Sequence, residues 1–344
     1  MGKTILLTGG RGFIGQNFAR HVHRFHPEHT VLVLDALTYA TEQGKGDEWM
    51  PNPERSEFWY GDICNGQLVD DLVSRSDVVV HMAAESHVTR SIYDDRRFFT
   101  TDVLGTQTLA NAAVRHRDRV ERFIHISSSE VYGTALTDSM DEDHPLNPMS
   151  PYASAKCGAD RLVYSYWVTY ELPAVIVRPF NTFGPRQHLE KAVPRFIVNC
   201  LLGEPITVHG DGSAARDWMF VDDLCRAVTA VLEVELEDVV GQVFNVGTGR
   251  HRSVREVALK VQAAAGDPEK NPLDFIGDRP GQVLRHTCDA TKAEKILGWK
   301  PVVAFDEGLD RTTEWYRDHR DWWWPQVWMR QIPIVTADGR RELH

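Results

Sequence analysis

Tyr152 and Lys156 stand four residues apart in the segment "SPYASAK". Side chains at that spacing share one face of an α-helix. Ser150 suits the N-cap and Pro151 the first helical position, so the pair falls in the opening turns of a helix. A lysine ammonium beside a phenol favours the phenolate and lowers its pKa, giving a base that can take a proton from a hydroxyl group. Just upstream, "ISSSEVYG" follows the apolar run "RFIHI" and sets Ser127, Ser128, Ser129 and Glu130 at the end of a predicted strand. Buried polar groups are unfavourable without partners, so hydroxyls and a carboxylate at such a place imply a ligand or a network. Tyr-x-x-x-Lys alone is common on surface helices; its neighbours give it weight.

The decisive neighbour is the N-terminal segment "TILLTGGRGFIG", a strand, a glycine-rich turn and a helix start. Gly9, Gly12 and Gly15 are spaced three apart, which lets backbone N–H groups and a helix N-terminus approach a pyrophosphate. The second strand, "TVLVLD", ends at Asp35, twenty residues past Gly15. An acid there accepts hydrogen bonds from the adenosine ribose and repels a 2′-phosphate, so the pattern predicts NAD in preference to NADP.

The elements that position these residues are legible as an alternation. Apolar runs such as "DVVVHMA" and "AVIVRPF" lack a polar face, which predicts parallel strands covered on both sides. Between the strands, helical spacing covers 13–25, 65–75, 95–116 and 151–170. The fold class is therefore α/β, a Rossmann-type doubly wound parallel sheet with a smaller, interleaved C-terminal substrate lobe. Residues 1–180 are expected to form the dinucleotide-binding domain and 181–344 the second lobe. Helices are predicted at 192–202, 221–235, 253–265 and 305–319, and segments around 206–250, among them the strand-like "QVFNVG", should return to the first domain.

Composition bounds the function. The chain has 344 residues and a net charge of −11, which argues against a nucleic-acid or anionic-membrane binder. Five scattered cysteines (64, 157, 200, 225 and 288) without a C-x-x-C pair fit a reducing compartment and no structural zinc. The first residues enter a strand without a signal-peptide pattern, and no apolar run approaches membrane-spanning length, so a cytoplasmic protein is expected. The histidine-rich "HVHRFHPEH" reads as a solvated helix end, and no metal is expected there. The aromatic tail "WYRDHRDWWWPQVW" reads as a C-terminal helix packed on the body.

The glycine fingerprint, the strand-end serine and the Tyr-Lys pair together resemble the extended short-chain dehydrogenase/reductase superfamily. In that superfamily a strand-end Ser or Thr and the tyrosine hold the reacting hydroxyl, and the lysine holds the nicotinamide ribose; Ser128, Tyr152 and Lys156 match those places. "DALTYA", "HMAAESHVTRSI", "GDGSAARDWMFVDDLCRAV", "GDRPGQ" and "DATKAEKILGWKP" look like dTDP-glucose 4,6-dehydratases and their nucleotide-sugar relatives. "SEVYGTA" and "RPFNTFGPRQ" look equally like UDP-N-acetylglucosamine-type 4,6-dehydratases.

The resemblance implies an NAD site made by Gly9, Gly12, Phe13, Ile14, Gly15, Asp35, Leu37 and Thr38. Asp62 and Ile63 would flank the adenine, and Ala83, Ala84 and Thr101 would line the cleft with Tyr152 and Lys156. Ser86, His87, Asn181, Arg216 and Arg279 would face a nucleotide-diphosphate sugar, although His87 reads equally well as a structural histidine. Arginine suits a diphosphate because it is always charged and can bond two oxygens at once. Oxidation at C4 would acidify C5–H, Glu130 would take that proton, and the 6-hydroxyl would leave as water before hydride returns to C6. A homodimer through 95–116 and 151–170 is also implied.

Two residues depart from the family pattern. Ser129 replaces the Asp that serves as acid for the leaving hydroxyl, and a serine is a poor acid near neutral pH. Either Glu130 returns its captured proton or Ser129 relays one from water. Asp102 stands where Asn is usual. A UDP-glucuronate decarboxylase would also use Ser129 and Glu130, a C4-epimerase would leave Glu130 idle, and a non-catalytic NAD-binding protein would be expected to lack Tyr152 or Lys156.

Overall fold

Alternate residues of each central strand face opposite helical layers, as the unbroken apolar runs require. The structure is a computed structural model that describes residues 2–41, 52–278, 280–331, 333–335 and 341–343. Its strands, in chain order, are β1 (Thr4–Thr8), β2 (Thr30–Asp35), β3 (Ser56–Tyr60), β4 (Val78–His81), β5 (Arg122–Ile126) and β6 (Ala174–Pro179). They continue with β7 (Asn181–Phe183), β8 (Ile206–His209), β9 (Ala215–Phe220), β10 (Val243–Val246), β11 (His251–Ser253) and β12 (Leu273–Ile276). The main sheet runs β10-β6-β5-β4-β1-β2-β3, and every pairing in it is parallel. The order reverses between β1 and β4, the switch point where doubly wound sheets bind ligands beyond their carboxyl ends.

Ile5, Leu7, Val31 and Val33 pack towards Phe18 and Val22 of the helix Phe13–Phe25 and Leu224 and Val228 of the helix Val221–Glu233. Leu6, Leu32 and Leu34 belong to the opposite layer with Leu72, Leu109, Ala113 and Val163. Chain beyond residue 180 thus contributes both a covering helix and β10, whose Phe244 pairs with Val177.

The rest of that chain builds the smaller sheets β11-β9-β7 and β12-β8 over a separate core that includes Phe183, Phe196, Phe220, Tyr316 and Trp323, and a two-stranded antiparallel pair, Pro333–Val335 with Arg341–Leu343. The aromatic tail joins that core, and the Trp323 indole donates to the Tyr316 carbonyl at 2.7 Å.

The helices Phe13–Phe25, Pro151–Tyr170 and Ala192–Leu202 occupy the predicted spans. The predicted helix 95–116 does not run evenly. Between Asp95–Phe98 and Thr106–Arg115 lies a wider, π-helical turn, Phe99–Gly105. It carries Asp102 and Gly105 to the buried side, and such turns gather at functional sites. Among the described residues no helix is long and apolar enough to cross a membrane.

Candidate active site

The C-terminal ends of β1, β2, β4, β5 and β6 open onto one cleft. At β1 the glycine turn begins with Gly9 at φ 70°, and a Cβ there would lie 2.7 Å from the Ala83 backbone. A Cβ on Gly15 would sit 2.2 Å from the Gly9 carbonyl, so the helix can close onto the turn only with glycine there. Gly12 is the N-cap of that helix and lines the cleft, with Phe13 and Ile14 following it. The first-turn N–H groups of a helix have no intrahelical acceptors, which suits an anion.

Asp35 closes β2 and is buried. Its Oδ2 accepts the Arg11 N–H at 2.9 Å and its Oδ1 the Leu37 N–H at 2.8 Å. Burial pushes its carboxyl above the ordinary aspartate value, against these two bonds. Leu37 adopts φ 48° and is exposed, and it lines neither part of the cleft. Thr38, Asp62, Ile63, Ala83, Ala84 and Thr101 surround the Asp35 end. A glycine cradle at a helix N-terminus and a buried acid twenty residues on fit the pyrophosphate and ribose of NAD.

The other end of the cleft, about 390 Å³, holds Ser128, Ser129, Glu130, Tyr152, Lys156, Ser86, His87, Asn181 and Arg216. Ser128 ends the extended chain after β5 and caps the tight turn Ser129–Tyr132, accepting the Glu130 N–H at 3.1 Å. Ser150 caps the helix Pro151–Tyr170 by accepting the Ala153 N–H at 3.1 Å, which fixes the start of the segment bearing Tyr152 and Lys156. Lys156 is buried and donates from Nζ to the Ile126 carbonyl at 2.7 Å, and burial pulls its pKa down. The lowering expected for Tyr152 is not what this geometry gives. Burial holds the phenol above its ordinary value, while a hydrogen bond with Ser128 acts the other way.

Glu130 Oε1 lies 3.8 Å from Nε of Arg216. The Arg216 guanidinium also donates to the Val283 carbonyl at 2.8 Å and to Gln282 Oε1 at 3.3 Å, so it is braced by the chain as well as turned to the cleft. His87 caps the helix Val88–Tyr93 by accepting the Arg90 N–H at 3.2 Å, and its Nε2 meets the Glu190 carbonyl at 3.3 Å. Both ring nitrogens are thus engaged by the fold, and burial lowers the imidazole to about 3. Arg279 lies outside the described residues.

A family model, GDP-mannose 4,6 dehydratase, matches residues 6–312. The chain belongs to this family. It is 44% identical over 312 residues to a low-salt glycan biosynthesis protein of Haloferax volcanii, covering 91% of this chain and 98% of the relative. It is 40% identical to a dTDP-glucose 4,6-dehydratase of Streptomyces niveus, covering 93% of this chain and 95% of that one. Among solved structures, the dTDP-glucose 4,6-dehydratase DesIV of Streptomyces venezuelae, determined with NAD bound, superposes with a TM-score of 0.87. That match has 38% identity and covers 94% of this chain and 99% of the other.

Within this family member, several cleft residues carry no local motif. His188, Glu190 and Lys191 line it from the loop after β7, and Glu190 is fully buried against Arg90 at 2.9 Å. His286 reaches Ser129 from across the chain. Asp102 has a structural role: its Oδ1 accepts the Glu85 N–H at 2.8 Å and so pins the loop after β4 to the π-helical turn. Burial raises its carboxyl to about 7, with Lys156 opposing.

One further cluster stands apart from the cleft. His26, Glu28 and His29 gather their ligand atoms within 4.8 Å. The Lys3 N–H donates to Nδ1 of His29 at 3.0 Å, which leaves that ring's proton on Nε2, the nitrogen facing Glu28. The trio presents a hydrogen where a metal needs a lone pair.

Proposed function

We propose that this NAD-dependent nucleotide-sugar 4,6-dehydratase works through Ser128, Tyr152, Lys156 and Glu130, and that dTDP-glucose is its substrate. The observation that carries the reading is the convergence of those four side chains, with Arg216 against Glu130, at one end of a cleft whose other end is built for a dinucleotide. NAD, which the glycine turn and Asp35 would hold, would supply the hydride acceptor for C4 and the hydride donor for C6. Tyr152 takes the proton of the 4-hydroxyl as a phenolate, a form that its hydrogen bond with Ser128 favours against burial. Lys156, fixed on the Ile126 carbonyl, adds positive charge close to that proton transfer. Once C4 is a ketone, the C5–H bond is acidified, and Glu130 removes that proton while the 6-hydroxyl departs. Arg216, 3.8 Å from Glu130, holds that carboxylate in position against the sugar. Ser86, Asn181 and Arg216 face the nucleotide sugar.

dTDP-glucose is favoured because the relatives named for it align along nearly the whole chain. The Ser129 departure bears on the proton for the leaving hydroxyl, not on the nucleotide. Mass spectrometry after incubation with NAD and dTDP-, UDP-, GDP- or CDP-hexoses tests the reading. Loss of one water from dTDP-glucose supports it; loss of carbon dioxide from UDP-glucuronate alone, or inversion at C4 without a mass change, replaces it.

The assembly proposed is a homodimer in the cytoplasm. Phe99 and Leu104 on the π-helical turn, and Tyr164 and Val168 on the helix Pro151–Tyr170, are exposed apolar side chains on two elements that pack together. Sedimentation as a monomer at micromolar concentration would rule the dimer out.

A further inference from the structure

Ser129 occupies the place of the acid in the reaction proposed above, yet its hydroxyl has a partner inside the protein. The segment bearing His286 is held by bridges from Arg285 to Ala215 and from Cys288 to Met140, and the His286 N–H donates to the Ala215 carbonyl at 3.0 Å. The imidazole is fully buried, with the Phe180 ring edge-on at 5.9 Å. Its Nε2 lies 2.8 Å from the Gly133 carbonyl and its Nδ1 lies 3.3 Å from Ser129 Oγ. A carbonyl only accepts, so Nε2 carries the ring proton.

The charged and titratable groups facing the ring are Glu130 from the tight turn, Arg216 from β9 and His144 from the loop before the helix Pro151–Tyr170. Burial dominates and lowers the imidazole to about 4, so near neutral pH it holds a single proton. Nδ1 is then a lone pair, and the Ser129 hydroxyl donates to it. A hydroxyl has one proton to give. Ser129 therefore turns lone pairs, not a proton, towards the cleft.

We propose that His286 is a positioning residue that fixes Ser129 as an acceptor for the sugar 6-hydroxyl, leaving Glu130 to protonate the departing oxygen. This rests on the dehydratase reading and deepens it. The C5–H bond breaks, its electron pair forms the C5–C6 double bond, and the C6–O bond breaks. The C5 proton passes to Glu130 and then to the departing oxygen, which leaves as water. Hydride returns from the reduced cofactor to C6, and C5 takes a proton from water. The proton that Tyr152 took from the 4-hydroxyl goes back to water, so the balance closes.

Two measurements on the holoenzyme test this. Nitrogen NMR of isotope-labelled histidine in the wild type should show His286 with a protonated Nε2 and a bare Nδ1 at neutral pH, and Ser129→Ala should shift the Nδ1 resonance. A protonated Nδ1 would overturn the proposal, whether or not any variant folds. In single turnover, His286→Phe should still oxidise C4 and exchange C5–H with heavy water, while water loss slows at least about tenfold. His286→Asn, whose amide oxygen can accept from Ser129, should recover most of that loss. An equal fall in all steps, or unchanged water loss in His286→Phe, would contradict the assignment. If the wild type oxidises no nucleotide sugar, the dehydratase reading fails, and the nitrogen spectrum still decides the His286 tautomer.

Discussion

Arg216 and Glu130 meet at 3.8 Å in the cleft, both largely withdrawn from water. An arginine that braces the chain at Gln282 and Val283 while facing a carboxylate holds that carboxylate in place by charge attraction. Replacing Arg216 with Gln leaves Glu130 facing a neutral amide. Loss of one partner of a buried charge pair typically removes about 2 kcal/mol or more, so kcat/KM should fall at least ~30-fold. Steady-state kinetics should show kcat falling and KM rising together; a change in KM alone would mean that Arg216 only binds substrate.

Asp35 gives a separate prediction about the cofactor. Asp35→Ala removes the acceptor of two backbone N–H groups, Arg11 and Leu37, and a buried unsatisfied group costs about 1–3 kcal/mol. It also removes the charge that repels a 2′-phosphate. NAD should bind more weakly, and titration calorimetry should find the preference for NAD over NADP reduced. An undiminished preference would place the discrimination elsewhere.

Buried neutral histidines set the response to acid. His81 and His87 are lowered from 6.5 to about 3, and His286 to about 4, in each case first by burial. A folded pKa below the unfolded value means that the unfolded chain binds more protons between the two. Stability is then fully present above 6.5 and is lost as pH falls from 6.5 towards about 4 for His286 and about 3 for His81 and His87. His87→Asn keeps an N-cap side chain for the helix Val88–Tyr93 and removes one such group. Its melting temperature should drop less steeply with acid than that of the wild type; a parallel drop would contradict this.

Asp160 and Arg178 form a fully buried pair, with Arg178 donating to both carboxylate oxygens at 2.8 and 2.9 Å. Arg178 also donates to the Tyr132 hydroxyl at 2.8 Å, and Tyr132 donates to Asn245 at 2.7 Å. The network joins β6, the turn after Glu130, β10 and the helix that carries Tyr152. Asp160→Ala strands a buried guanidinium, and denaturant unfolding should report a loss of about 3–5 kcal/mol.

Particular residues show what a sequence can carry. β1, β2, β4, β5 and β6 are legible because both faces of each strand are buried, so their runs carry no polar face even where His125 interrupts β5. The glycine turn, Asp35 and the Tyr152–Lys156 pair are legible because each depends on local spacing. The Ser129–His286 contact spans 157 residues, and nothing in "LRHTCD" marks it. The π-helical turn at Asp102 is hidden for a related reason: its burial and its bond to Glu85 come from packing, while helical periodicity reads straight through it. Tyr152 shows the limit for electrostatics, since the spacing to Lys156 suggests a lowered phenol and only the fold reveals the burial that raises it.

The most direct test of the central claim is single-turnover analysis of Glu130→Gln with NAD and dTDP-glucose, following both reduced cofactor and product mass. The amide cannot take the C5 proton, so reduced cofactor should accumulate with a 4-keto sugar that retains its 6-hydroxyl. Water loss at the wild-type rate would contradict this, because a group other than Glu130 would then have to be the C5 base.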